Sequence, residues 1–124
     1  MSPQAYMKAW QQADREAFLA LLAKDFSATE ADGATYNGLT EAAQWFDAWH
    51  QRFVMLDWQL SGEYPQGFHT LAKWTLTYAD ASTPMMAVVV DGMSDYLIQG
   101  GKLVALSEYQ LAHDHFRPYA DTAV

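Results

Sequence analysis

The chain has 124 residues, 51% hydrophobic and 15% aromatic, which is enough for one domain with a real core and too few for two. Its net charge of −8, from 15 acidic against 7 basic residues, leaves no basic stripe for nucleic acid or an anionic membrane. With no cysteine, disulfides and thiol chemistry are excluded; with neither a signal-like start nor ~20 consecutive apolar residues, the expectation is a soluble, cytoplasmic protein.

Ser2-Pro3 pairs a capping hydroxyl with proline at a first helical position, opening a helix that carries Tyr6, Met7 and Trp10. Asp14 caps a second helix in REAFLALLAKDF, where Phe18, Leu21 and Leu22 share a face; capping alone accounts for Asp14. After Phe26, SATEADGATYNG reads as a short extended segment with turns at Asp32-Gly33 and Asn37-Gly38. A third helix, LTEAAQWFDAWHQRF, follows. MLDWQLSGEY then alternates, setting Leu56, Trp58 and Leu60 against Asp57, Gln59 and Ser61. TLAKWTLTYA likewise sets Ala72, Trp74, Leu76 and Tyr78 against Lys73, Thr75 and Thr77. MMAVVVDGMSDYLI and KLVALSEYQ complete the strands. Helices first and antiparallel strands afterwards make an α+β domain with helices on one sheet face. One domain spans residues 1–124, its tail from about 111 lying outside the core pattern.

The last two strands meet at Gly100-Gly101, a two-residue loop suited to a type I′ turn. That register pairs Gln99 with Lys102 and Ser94 with Ser107. Ser94, Tyr96, Ile98, Leu103, Ala105, Ser107 and Tyr109 then point inward; Asp95, Glu108 and Gln110 point out. A one-residue bulge would exchange the faces.

The stretch YMKAWQQADREAFLALLAKDFSATEADGATYNGLTEAAQWF, together with GGKLVALSEY, resembles the nuclear transport factor 2-like superfamily, in the style of its SnoaL-like and ketosteroid-isomerase-like members. The features that carry the resemblance are Asp14 between two helices, Phe26 opening the first strand, Gly38 before the third helix and Gly-Lys in the last hairpin. It implies a cone-shaped curved antiparallel sheet closed by N-terminal helices (the cystatin-like α+β barrel), a mostly apolar pocket, and homodimers through the outer sheet face. Ketosteroid isomerases carry an oxyanion-donating tyrosine eight residues before the equivalent of Asp14, where Tyr6 stands, and a general base sixteen residues after it, where Glu30 stands. Their protonated aspartate near the last hairpin falls by similarity on Asp95, whereas alternation turns Ser94 inward. The usual Asp-Pro at the base position reads Glu30-Ala31 here.

Trp10, Trp49, Trp58 and Trp74 are candidates to wall a ligand pocket, since flat rings suit flat or alicyclic molecules. Leu76, Ser94, Tyr96 and Tyr109 join them by alternation. A carboxylate in such a pocket can take a proton from a carbon beside a carbonyl, with hydroxyl donors steadying the enolate. His113-Asp114-His115 reads as a solvated segment rather than a metal site, and no cofactor-binding fingerprint is present. Two readings follow. One is a cofactor-free isomerase or cyclase using Glu30, Tyr6 and Asp95; the other is a noncatalytic module that binds a small apolar or aromatic molecule or dimerises.

Overall fold

Ser2 and Pro3 start α1 (Pro3–Gln11) in the computed structural model, which describes residues 1–120; the Ser2 hydroxyl accepts the Ala5 N–H at 3.1 Å. Asp14 does the same for α2 (Arg15–Ala20), accepting from the Ala17 N–H at 3.1 Å. α2 stops at Ala20, six residues earlier than the helical pattern through Phe26 suggests, and β1 (Leu22–Thr29) begins at once. The reason is non-local. The Leu103 N–H donates to the Leu21 carbonyl at 2.8 Å, and β1 pairs in parallel with the last strand, burying Leu22, Phe26 and Ala28. Those contacts outweigh a helical preference of a few tenths of a kcal/mol per residue (~0.7 at most).

β2 (Thr35–Asn37) folds back on β1. Gly38, at φ 79, then turns the chain into α3 (Gly38–Arg52), since only glycine adopts that angle without strain. β3 (Phe53–Gln66), β4 (His69–Asp80), β5 (Val88–Gln99) and β6 (Lys102–Ala112) complete one curved six-stranded sheet in the order β2-β1-β6-β5-β4-β3. Among the described strands only the β1–β6 pair is parallel. β6 carries the sheet through Leu111 and Ala112, so the first two tail residues are part of the architecture; residues 121–124 of the expected tail lie outside the described residues.

The core lies between the inner face of the sheet and the helices. Tyr6, Trp10, Phe18, Phe46, Trp58 and Trp74 are all buried there, and full burial of each large apolar side chain is worth ~1.5–3 kcal/mol. His50 ties the helices together, with Nε2 at 2.9 Å from the Trp10 carbonyl and Nδ1 at 2.8 Å from the Phe46 carbonyl.

Three bulges in β3 and β6 set which of their residues face the core. In β3 the register slips at Leu56 and again at Ser61, so Met55 rather than Leu56 packs inward, and Leu56 is 49% exposed. In β6 the extra residue is Val104: Ile98 pairs with Leu103, but Leu97 pairs with Ala105. The glycine turn itself is as expected, with φ 59 and 75 at Gly100 and Gly101. Beyond the bulge every β6 side chain is on the opposite face from the straight-ladder reading. Ala105, Ser107 and Tyr109 therefore face outward, while Leu106 is buried in the core and Glu108 pairs with Ser94. On β5 the alternation reading stands, with Ser94 and Tyr96 fully buried.

Candidate active site

An open cleft of about 800 Å³ lies between α3, the β1–β2 turn and the inner face of β4. At its floor it narrows into an inner cavity of about 50 Å³, and Glu30, Trp45, Trp49, Leu76 and Gln110 line both. Tyr6 lines the inner cavity and not the outer cleft, whereas half-buried Glu108 lines the inner cavity and also borders an open surface cleft with Ala31, Asp32 and Tyr109. Its walls are Trp10, Trp45, Trp49, Trp58 and Trp74, four of them expected from the sequence.

Tyr6 comes from the first full turn of α1 and is 1% exposed. Burial, and then the negative charge of Glu108, the nearby Tyr96 and the charge of Glu30, push its hydroxyl well above the usual tyrosine range. It is therefore an O–H donor at any working pH. Glu30 follows β1, where the Asp32-Gly33 turn brings Tyr36 back beside it. The Tyr36 hydroxyl donates to Glu30 Oε1 at 2.6 Å, and its ring stacks on Trp45 at 4.8 Å and 8°. Burial, followed by that hydrogen bond and the charge of Glu30, raises the Tyr36 hydroxyl as well.

Glu108 stands across from Ser94. Trp74 Nε1 donates to Ser94 Oγ at 2.8 Å, and Ser94 Oγ lies 3.4 Å from Glu108 Oε2. Burial, then the charge of Glu30, raises the Glu108 carboxyl to about 7, with the Ser94 hydrogen bond opposing. Near neutral pH this group therefore holds or releases a proton readily. Gly92 makes the arrangement sterically possible, because a Cβ there would overlap the Trp74 ring.

Trp10, Trp45 and Trp58 present buried indole N–H groups, and Tyr96 a buried hydroxyl, without an oxygen or nitrogen partner among the described residues. Neighbouring rings pack edge to face around these indoles, as in Trp10–Phe18 at 76° and Trp58–Trp74 at 86°. Aromatic faces surround these donors where oxygen would serve better.

Two expected site residues lie elsewhere. Asp95 is on the outer face, its Oδ1 bonded to His69 Nδ1 at 2.7 Å, because its neighbour Ser94 takes the inward position. Tyr109 is 63% exposed on that same outer face, placed there by the Val104 bulge. Tyr96 is buried beneath Tyr6, with ring centroids 5.5 Å apart, and backs the cavity without lining it. Glu108 and Gln110, expected to point outward, are on the inner face and line the cavity, Glu108 half-buried and Gln110 exposed. Tyr36 and Trp45 were also missed. The six-residue spacing of Glu30 and Tyr36 about an Asp-Gly turn was a legible hairpin signal for the first. Among the described residues no three metal-ligating side chains come together; His113 Nδ1 lies 3.2 Å from Asp91. No described helix is long and apolar enough to cross a membrane.

The SnoaL-like domain model matches residues 4–106. The chain belongs to the SnoaL-like family. Its match takes in Tyr6 and Glu30 and ends just short of Glu108. No protein of curated function matches this SnoaL-like chain. Among solved structures it is similar to a Catenulispora acidiphila protein of ketosteroid isomerase-like fold, solved with trimethylamine, at 18% identity and TM-score 0.79, covering 91% of this chain and 88% of that one. It is also similar to an M. tuberculosis LEH-like epoxide hydrolase, at 15% identity and TM-score 0.76, over 87% and 78% of the two chains. A candidate polyketide cyclase from Xanthomonas campestris shares 19% identity at TM-score 0.71, over 86% and 84%. At these identities the likeness speaks for the fold, which is that of the nuclear transport factor 2-like superfamily.

Proposed function

We propose that this SnoaL-like protein moves a proton beside the carbonyl of a small, largely apolar molecule, in an isomerase- or cyclase-like reaction carried by its own side chains. The observation that supports the reading is the meeting of Tyr6, Glu30 and Glu108 on one tryptophan-walled cavity. Glu30 takes a proton from the carbon next to the carbonyl, and the electron pair moves onto the carbonyl oxygen. That oxygen accepts hydrogen bonds from the Tyr6 hydroxyl and from protonated Glu108. Glu30 then returns the proton to carbon, which completes an isomerisation; in a cyclisation the enolate carbon attacks a second carbonyl. Glu108 thus takes the donor role that the family resemblance offered to Asp95. Of the two donors, Tyr6 is almost fully shielded from water, where a hydrogen bond to developing charge counts most, and Glu108 is half-buried beside it.

The test is exchange of α-protons for deuterium in a panel of small cyclic ketones, followed by NMR. Glu30→Gln keeps the shape and removes the acceptor, so exchange should fall by about 10²–10⁴-fold. Tyr6→Phe should cost on the order of 10²–10³.

A noncatalytic small-molecule-binding or dimerisation module is the second reading. It is favoured by the outward Asp95 and by an inner cavity of only about 50 Å³. Saturable ketone binding without α-proton exchange would support it and end the first.

A further inference from the structure

The outer cleft has a chemistry the proton transfer does not use. Its aromatic surfaces are open: Tyr36, Trp49, Phe53 and Tyr78 are each partly exposed, and Tyr36 is stacked flat on buried Trp45. Trp49, Phe53 and Tyr78 form a second group, with centroids 5.3 to 6.2 Å apart. Three carboxylates, Glu30, Asp32 and Glu41, share the same cleft against one cation, Arg52. That cation is engaged at the edge. Its guanidinium lies 4.8 Å over the Phe53 ring, and its Nε is 3.9 Å from Asp80 Oδ2. The carboxylates alone would be an ordinary solvated face. What distinguishes the cleft is a set of partly exposed rings, Tyr36, Trp49 and Tyr78, beside Phe53, whose face already receives a positive charge from Arg52.

We propose that the outer cleft binds an organic cation, a protonated or quaternary amine on a small apolar body, between the Tyr36–Trp45 and Trp49–Phe53–Tyr78 walls. Ring faces attract a cation through their quadrupole, and the attraction grows where the cation sheds water. Carboxylates at the walls and a net charge of −8 draw cations to the cleft and repel anions. The volume, about 800 Å³, accommodates a metabolite-sized guest whose uncharged end reaches towards the inner cavity. This assignment concerns binding alone and stands whether or not the proton transfer operates.

Calorimetric titration with choline and with its uncharged isostere 3,3-dimethylbutan-1-ol separates charge from shape. Choline should bind at low salt roughly tenfold or more tighter than the isostere, and added salt should weaken it. Arg52→Gln, an exposed change, should tighten choline binding several-fold by removing the competing charge. Trp49→Leu should weaken it, with Trp49→Tyr restoring most of the loss. Calorimetry reads binding without turnover, so a failed proton-transfer mechanism does not read as a failed cation site. Equal affinity for the two probes, no saturable binding of either, or an unmoved affinity in Arg52→Gln would each overturn the proposal.

Discussion

Ser94 and Glu108 are cross-strand partners on the inner face of the sheet, 3.4 Å apart through Oγ and Oε2, only because Val104 is an extra residue in β6. Without that residue Ser94 would face Ser107 and the carboxylate would be in water. The bulge therefore turns an ordinary surface acid into the group with the most displaced carboxyl in the cavity. Trp74 holds Ser94 from behind, which fixes the hydroxyl that Glu108 meets.

The raised carboxyl has a stability consequence whose sign is opposite to that of most acids. Glu108 binds its proton more tightly folded, at about 7, than at its ordinary value of 4.5. Its contribution is fully present below about 4.5 and is lost as pH rises through about 7. The change is on the order of 1–3 kcal/mol. Glu108→Gln should remove this dependence. Urea denaturation at pH 5, 7 and 9 should show the variant gaining on the wild type as pH rises, and a constant gap would refute it.

The proposed catalysis by the protonated form would carry its own pH signature. α-Proton exchange should decline as pH rises through about 7 and the Glu108 donor is lost. In Ser94→Ala, which removes the hydrogen bond that favours the ionised form, the decline should move to higher pH. A descending limb that stays in place would separate Ser94 from Glu108.

Gly92 is required by packing rather than by backbone angle. Gly92→Ala should place a methyl group against the Trp74 ring and cost about 1–3 kcal/mol. The Trp74 indole N–H resonance should shift as its 2.8 Å bond to Ser94 is disturbed. A variant with wild-type stability and an unmoved indole signal would mean that the ring yields freely.

Tyr36 holds Glu30 through a short hydrogen bond to a charged acceptor. Tyr36→Phe should lower exchange about tenfold or more, consistent with ~1.5–3 kcal/mol for such bonds, while leaving the stacked ring on Trp45 in place. Unchanged exchange with an unchanged melting temperature would remove Tyr36 from the site.

The outer sheet face carries Val89, Met93 and Leu97 together with Tyr109 and Leu111, which are 63% and 61% exposed. Apolar surface of this kind tends to be covered, and a homodimer through this face is expected. Leu106, which alternation assigns to the same face, is in the core and takes no part. Sedimentation at tens of micromolar should show the dimer, and Met93→Lys with Tyr109→Lys should give a monomer (~10⁻⁵ M being within reach of a standard-size interface). A wild-type monomer at that concentration would end the expectation.

The features legible in the amino-acid order are those whose causes lie within a few residues. Ser2 and Asp14 cap their helices, Gly100 and Gly101 turn the last hairpin, and Trp74 and Leu76 alternate inward, all from local rules of sterics and hydrogen bonding. Tyr6 and Glu30 were found through spacing shared with a family, which carries geometry that no local rule contains. The tertiary structure alone decided the end of α2, the outward turn of Tyr109 and the inward turn of Glu108. The first depends on a strand distant in sequence, as β6 takes Leu22 into a ladder; the other two depend on an extra residue at Val104 in the β5–β6 pairing, a bulge that the turn sequence does not announce. A strand's side chains alternate with a period of two, so one unpaired residue reverses every face beyond it, and where that residue falls is settled by the packing of the whole sheet.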